Sequence, residues 1–218
     1  MQWAMDEVAD MLHRVAGQAE EDLRLEQAVY GLDAMKATTL QQVLAEGIGR
    51  DGFATVTREA HYPSDLAKKR PSRRRCDLVL TPSDTTLLQA DAVDLFTPAS
   101  ACPPEQALWL ELKVAHQFAE GGRHHSGYGQ QWRQATVKDL KKIETETRVR
   151  EAALLLAVFT AGEATADKDL ELFEDVLAMK EVLAGFRQVR RVPILERNGH
   201  THLTLSLWPT VQRLETPI

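Results

Sequence analysis

Residues 108–115, LWLELKVA, restrict the fold of this chain more than any other segment. Side chains alternate between the two faces of a β-strand. One face of this segment is wholly apolar and consists of Leu108, Leu110, Leu112 and Val114. The other face carries Trp109, Glu111 and Lys113. The pattern predicts a core strand from which an acid and a base project side by side.

A second short apolar segment, RCDLVL at residues 75–80, contains a carboxylate. An unpaired carboxylate is costly in such an environment. Alternation predicts that Asp77 shares a face with Val79, while Cys76 and the two leucines face the other way. If the two strands are neighbours, the carboxylates of Asp77 and Glu111 converge.

The remaining patterns predict an α/β fold built on a mixed sheet, with an N-terminal helical appendage at residues 1–36 and one domain at 37–218. The predicted elements in the first half are amphipathic helices within 3–30, a helix with an N-cap at Thr38 or Thr39 that is closed by Gly49 and by Asp51-Gly52, strands at 53–62 and 75–80, and a long connection at 83–106. Those in the second half are a strand at 107–118, a helix at 130–146, a buried strand at 150–161, a helix from Asp167 to Phe186 with Leu170, Phe173, Leu177 and Val182 inward, and a hairpin at 191–209 turning at Asn198 and Gly199.

Composition indicates a cytoplasmic protein. The chain has 218 residues, of which 44% are hydrophobic. A helix that spans a bilayer needs about 20 consecutive apolar residues, and the sequence contains no apolar run of that length. The first residues, MQWAMDEVADMLHR, are acidic and amphipathic and do not resemble a signal peptide. The two cysteines, Cys76 and Cys102, are expected to be inert thiols in a reducing compartment.

The charge distribution favours local binding of a polyanion. The net charge is −6, but residues 68–75, KKRPSRRR, hold six basic and no acidic side chains, which leaves −12 on the rest of the chain. This basic strip predicts contacts with nucleic acid, and a solvated loop is the alternative. Its members are Lys68, Lys69, Arg70, Arg73, Arg74 and Arg75.

Two convergent carboxylates favour a bound cation. Without one, each raises the proton affinity of the other. Oxygen ligands suit Mg²⁺ or Mn²⁺ better than zinc. Lys113 is placed to orient or deprotonate a water, or to stabilise charge on a phosphoryl oxygen. The alternative is a purely structural pair between an acid and a lysine.

Asp77 on one strand and Glu111-Leu112-Lys113 on the next resemble the motif of the PD-(D/E)xK nuclease superfamily. The resemblance covers roughly residues 38–160 and implies a restriction-endonuclease-like fold with an α-β-β-β-α-β core, followed here by the C-terminal helix and hairpin. It further implies that Asp77 and Glu111 ligate the metal, with help from the Leu112 carbonyl. Lys113 would activate the attacking water.

The same resemblance implies further site residues. A helical acid is expected at Glu46, with Glu59 on the following strand as its rival. On the helix at 130–146, Gln131, Gln134 and Lys138 share a face, and Gln131 and Lys138 are expected to contact the site or a phosphate. That helix also contains Asp139-x-x-Lys142, a spacing that recurs in the superfamily, although Lys141 and Lys142 are expected to be solvated.

The loop EGGRHHSGYG follows the third strand of this core. We expect Arg123, His124, His125 and Tyr128 to grip a phosphate or to stack on a base. Adjacent histidines rarely converge on one ion, so a metal site in this loop is disfavoured.

These features predict a Mg²⁺-dependent endodeoxyribonuclease in a restriction, antiviral defence or mobile-element context, with RNA as an alternative substrate. The resemblance implies a homodimer or a subunit of a larger defence complex. The alternative is a non-catalytic nucleic-acid-binding or partner subunit that retains the nuclease fold.

Overall fold

The computed structural model describes residues 3–63, 74–88 and 100–211. Within these ranges four α-helices and eight β-strands have defined bounds. The helices are α1 (Met5–Leu25), α2 (Ala37–Asp51), α3 (Tyr128–Glu144) and α4 (Glu163–Met179). The strands are β1 (Ala54–His61), β2 (Arg75–Pro82), β3 (Thr86–Leu87), β4 (Ala101–Cys102), β5 (Leu108–His116), β6 (Glu151–Thr160), β7 (Gln188–Pro193) and β8 (His202–Pro209).

Six strands form one mixed sheet in the order β1-β2-β5-β6-β8-β7. The β5–β6 pair is parallel, and α3 forms the crossover between these strands. The other neighbouring pairs in this sheet are antiparallel. Strands β3 and β4 pair separately, in parallel. The predicted α/β class with a mixed sheet is confirmed, as is the C-terminal hairpin, with Gly199 at a φ of 88° in its turn.

Helices cover both faces of the sheet. Side chains of α1 and α2 share one apolar cluster with Leu78, Leu110 and Leu112. Side chains of α3 and α4 form a second cluster with Trp208 and the opposite face of β6. Because both of its faces are covered, β6 is almost continuously apolar. The division expected at residue 36 falls within the first cluster, since α1 is part of that core.

Three predicted boundaries were wrong. Helix α2 begins at Ala37 without a side-chain cap, so neither Thr38 nor Thr39 is the N-cap. Its predicted end at Asp51 and Gly52 is confirmed, since its last residue is Asp51 and its C-cap, Gly52, is left-handed with φ 73°. Helix α4 begins four residues earlier than predicted, immediately after Gly162, and ends at Met179. The chain leaves helical geometry at Glu181, whose φ is 53°, so Val182 is buried outside the helix.

The predicted connection at 83–106 is partly structured. It contains β3, β4 and a 3-10 turn at Pro104–Gln106, while residues 89–99 lie outside the described part of the chain. No helix among the described residues is long and apolar enough to cross a membrane.

Candidate active site

Strands β2 and β5 are neighbours, and they separate at Asp77. Their antiparallel register runs from Leu80 opposite Leu108 to Leu78 opposite Leu110. One residue beyond this ladder, Oδ2 of Asp77 accepts a hydrogen bond of 2.7 Å from the backbone N–H of Leu112. The carboxylate of Asp77 therefore occupies the gap between the strands and takes the place of a backbone acceptor.

The predicted orientation of Cys76 was wrong. Leu78 and Leu80 pack on the α1–α2 side of the sheet, but Cys76 belongs to a third apolar cluster, with Val79 and Trp109. Its thiol contacts the Leu110 carbonyl oxygen at 3.3 Å. Strict alternation fails here because the β1–β2 pairing is interrupted at Glu59 and Asp77, between the Arg58–Leu78 and Ala60–Cys76 pairs. Burial raises the pKa of the Cys76 thiol.

Glu111 is held by two donors. Its residue exposure is 2%, and its Oε1 accepts hydrogen bonds from the Tyr62 hydroxyl at 2.5 Å and from Nζ of Lys142 at 2.6 Å. Burial raises the pKa of Glu111 to about 7, although Lys142 and Tyr62 both act to lower it and Asp77 adds to the increase. Burial also raises the pKa of Asp77, an effect that the Leu112 amide and Lys113 oppose.

Lys113 forms an ion pair with α3. Its Nζ lies 2.8 Å from Oδ2 of Asp139. Burial alone would lower the pKa of Lys113, but the hydrogen bond and charge of Asp139 raise it above the ordinary value. Lys113 is therefore a protonated ammonium at neutral pH, which suits stabilisation of negative charge better than deprotonation of a water.

Two ion pairs thus join β5 to α3. In one, Glu111 of the strand meets Lys142 of the helix, and in the other, Lys113 of the strand meets Asp139 of the helix. Residues two apart share a strand face, and residues three apart share a helix face. The expectation that Lys142 is solvated was wrong, whereas Lys141 is exposed as expected. The Asp139-x-x-Lys142 spacing was the sequence signal for this contact. No sequence signal pointed to Tyr62.

The donor set fits a hard divalent cation. The bonds to Asp77 and Glu111 use Oδ2 and Oε1, which leaves Oδ1 and Oε2 for coordination. In an extended strand the N–H and C=O of one residue point to the same side, so the Leu112 carbonyl points into the same gap as its N–H. No group of three or more His, Cys, Asp or Glu side chains in the described ranges could hold a metal. Two carboxylates with a carbonyl and waters are the ligands that Mg²⁺ commonly takes.

The structure brings Glu59, and not Glu46, to Asp77. The amide nitrogen of Gln41 on α2 donates both to Oε1 of Glu59 at 3.0 Å and to the backbone oxygen of Asp77 at 2.5 Å. Glu46 is exposed and accepts a bond from Gln42 one turn away. Glu59 adopts a φ of 53° opposite Asp77, so β1 is distorted at the one position where its pairing with β2 is interrupted.

Helix α3 contributes differently from expectation. Oε1 of Gln131 accepts a 3.1 Å bond from the backbone N–H of His116 and so caps the end of β5. Gln134 and Lys138 are exposed, and Lys138 points away from the buried face of the helix. The helix residues next to Glu111 and Lys113 are thus Lys142 and Asp139.

The predicted role of Tyr128 in gripping substrate does not fit its position. Its side chain is buried between α3 and α4, and its hydroxyl donates to Asp169 at 2.6 Å. Arg123 and His124 are exposed in the loop, and Nδ1 of His125 accepts a bond from Gly127. Only the exposed loop side chains are therefore available to a ligand.

Part of the basic strip lies within the described ranges. Arg74 pairs with the buried Glu146 at 3.1 Å. Arg75 is exposed at the start of β2, and its carbonyl accepts a 2.9 Å bond from Lys142. Lys68, Lys69, Arg70 and Arg73 lie outside the described residues.

A second polar cluster, which we call the histidine cleft, lies at the C-terminal end of β5. His200 is fully buried, its Nε2 accepts a bond from the Phe118 N–H at 3.0 Å, and its Nδ1 donates to Oδ2 of Asp33 at 3.0 Å. His116 stacks on Phe159 with ring centroids 4.9 Å apart, and burial lowers its pKa to about 4. Asp33, His116, Phe118 and His200 line a cavity of about 530 Å³.

No family model, curated protein or solved structure matches the chain. The geometry around Asp77 and Glu111 is therefore the basis for assigning a function.

Proposed function

We propose that the protein is a Mg²⁺- or Mn²⁺-dependent nuclease of the PD-(D/E)xK type that hydrolyses phosphodiester bonds in DNA. The main observation behind this proposal is that the Asp77 carboxylate lies in the gap between β2 and β5, where it accepts a bond from the Leu112 N–H beside Glu111 and Lys113. The proposal is supported by the order of the elements α2, β1, β2, β5, α3 and β6, which agrees with the α-β-β-β-α-β order that the resemblance implies, with the short β3 and β4 inserted between β2 and β5.

The roles of the residues follow from their positions. Asp77, Glu111 and the Leu112 carbonyl would hold the cation, which when bound supplies Lewis-acid polarisation of a phosphoryl oxygen. Protonated Lys113 would stabilise negative charge on that phosphate. Arg75, exposed two residues before Asp77 on β2, would position the DNA backbone. Exposed Arg123 and His124 would add contacts from the loop after β5.

The test is cleavage of supercoiled and linear DNA in Mg²⁺, Mn²⁺ and EDTA. We expect metal-dependent cutting, with Asp77→Asn, Glu111→Gln and Lys113→Met each slowing it at least about a hundredfold, because Asp77 and Glu111 would hold the cation and Lys113 would stabilise the developing charge. Lys141→Met is the matched control, since Lys141 is exposed on α3. Full activity in Asp77→Asn would contradict the proposal.

The acidic surface favours one alternative, a non-catalytic subunit of a larger defence complex whose partner supplies most of the DNA contacts. The net charge of −6 opposes DNA binding outside the basic strip. This alternative predicts DNA binding without cutting under any metal condition. An RNA substrate in the same assay, and analytical ultracentrifugation of the intact chain, test the remaining proposals of substrate and of a homodimer.

A further inference from the structure

The ion pair between Glu111 and Lys142 is the starting point. A carboxylate buried to this degree needs a positive partner, because leaving a charge uncompensated in the interior is costly. In this structure the partner is Nζ of Lys142, which lies 2.6 Å from Oε1 of Glu111. The side chain of Glu111 is 3% exposed, so solvent contributes little to its neutralisation.

Three groups of the protein surround the ammonium of Lys142. It donates to Glu111 and to the Arg75 carbonyl at 2.9 Å, and it lies 4.8 Å from the centre of the Tyr62 ring. The ring is fixed in turn, because it stacks on Trp109 at 5.3 Å. Both of the hydrogen bonds and the ring face are interactions that a cation prefers.

The ammonium of Lys142 can also move from Glu111 to solvent. It lies in the last turn of α3, which ends at Glu144, where cations are favoured by the helix dipole. Its side chain is 19% exposed, so a change of rotamer can carry the ammonium to solvent while its methylene stem stays packed. Arg75, whose carbonyl it contacts, is exposed on the same surface.

We propose that Lys142 is an exchangeable internal counter-ion that neutralises Glu111 in the metal-free protein and is displaced from Glu111 when a divalent cation binds. This inference rests on the proposed function, since it takes Glu111 as a metal ligand. A divalent cation and an ammonium on one carboxylate repel each other at short range. Metal binding and the Lys142–Glu111 contact are therefore antagonistic, and the contact lowers metal affinity.

The experiment is a Mn²⁺ titration of the full-length chain, followed by the EPR signal of free Mn²⁺. Lys142→Gln keeps a donor for Glu111 but removes the competing charge, and we expect it to bind Mn²⁺ about tenfold more tightly than the wild type. Lys141→Gln is the matched control and is expected to bind as the wild type does. Glu111→Gln reports whether binding uses this site.

A second readout is thermal unfolding in EDTA and in Mn²⁺. Lys142→Gln should melt below the wild type in EDTA, because Glu111 has lost its cation, and should gain more from Mn²⁺ than the wild type gains. If Lys142→Met also folds, judged by circular dichroism, it should show the same two effects more strongly.

The outcomes separate this inference from the proposed function. Equal or weaker Mn²⁺ binding by Lys142→Gln, with binding lost in Glu111→Gln, would overturn the counter-ion role and leave the metal site intact. Absence of Glu111-dependent binding in both the wild type and Lys142→Gln would overturn both. Tight binding by Lys142→Gln alone would support the inference.

Discussion

Strand β5 carries two polar clusters that solve the problem of buried charge in different ways. Around Glu111 and Lys113, each charge meets an opposite charge from α3, and the lysine stems reach toward solvent. In the histidine cleft, His116 and His200 are embedded among aromatic rings, and Asp33 is held by a hydrogen bond from His200. The first cluster can exchange one cation for another, whereas the second depends on a fixed set of hydrogen bonds.

Because of this difference, the cluster around Glu111 is the better suited to binding a cation. A buried carboxylate that already has an ion-pair partner can accept another cation if that partner can leave, and the partly exposed Lys142 meets that condition. Asp33 has a fully buried side chain, and its Oδ1 has no hydrogen-bond partner among the described residues. The histidine cleft should therefore be the more sensitive of the two to loss of a single partner.

The largest effect is expected for His200→Ala. The substitution removes a fully buried ring, leaves the Asp33 carboxylate without its donor and leaves the Phe118 N–H without its acceptor. We expect a loss of about 3–5 kcal/mol in the free energy of unfolding. The measurement is urea denaturation at pH 7 in EDTA.

Asp33→Asn provides the control for this prediction. The amide keeps the volume and an acceptor for His200 but removes the charge, so its cost should be about 1 kcal/mol. In the double variant the losses should be clearly less than additive. If His200→Ala lost less unfolding free energy than Asp33→Asn, the claim that the histidine cleft depends on the hydrogen bonds of His200 would be contradicted.

The second prediction concerns the pH dependence of the free energy of unfolding, to which the two clusters contribute in opposite directions. The pKa of Glu111 is raised from 4.5 to about 7, so the folded state binds its proton more tightly and stability falls as pH rises through this range. The pKa of His116 is lowered from 6.5 to about 4, so its contribution is complete above 6.5 and is lost as pH falls. Each contribution is at most about 3.5 kcal/mol, at about 1.4 kcal/mol per pH unit.

Between pH 4.5 and 6.5 the two contributions therefore largely cancel in the wild type. In EDTA, Glu111→Gln should reveal a stability that rises with pH, and His116→Gln one that falls with pH. Free energies of unfolding from urea titrations at half-unit intervals measure both slopes. Slopes of the same sign in the two variants would show that the clusters do not differ as described.

The sequence was sufficient to predict what depends on local pattern. Alternation along β5 put Glu111 and Lys113 on one face, and the apolar run around Asp77 identified its strand. It was not sufficient where a contact depends on how distant elements meet. The Asp139-x-x-Lys142 spacing marked Lys142, but its contact with Glu111 depends on the packing of α3 against β5, which the local pattern does not contain.

The histidine cleft is the extreme case of this limit. Asp33 and His200 are 167 residues apart, and neither lies in a motif. Asp33 falls in a 3-10 turn between α1 and α2, while His200 follows the hairpin turn. The packing of α1 on β7 and β8 brings them together, and no periodicity in the sequence encodes that packing.

The smallest effect is expected for Tyr62→Phe. The ring still stacks on Trp109 and still lies below the Lys142 ammonium, and Oε1 of Glu111 keeps its bond to Lys142, so only one hydrogen bond is lost. The cost should be about 1 kcal/mol. Tyr128→Phe is a matched control, because it removes a comparable hydroxyl bond, to Asp169, outside both clusters.

The two tyrosine variants should differ in pH dependence and not in size of effect. The Tyr62 hydroxyl lowers the pKa of Glu111, so its removal should raise that pKa above about 7 and move the loss of stability to higher pH. The control should leave the profile unchanged, since Tyr128 does not contact Glu111. Identical profiles in urea denaturation between pH 5 and 9 would mean that Lys142 alone sets the charge state of Glu111, which would strengthen its part as counter-ion at the expense of Tyr62.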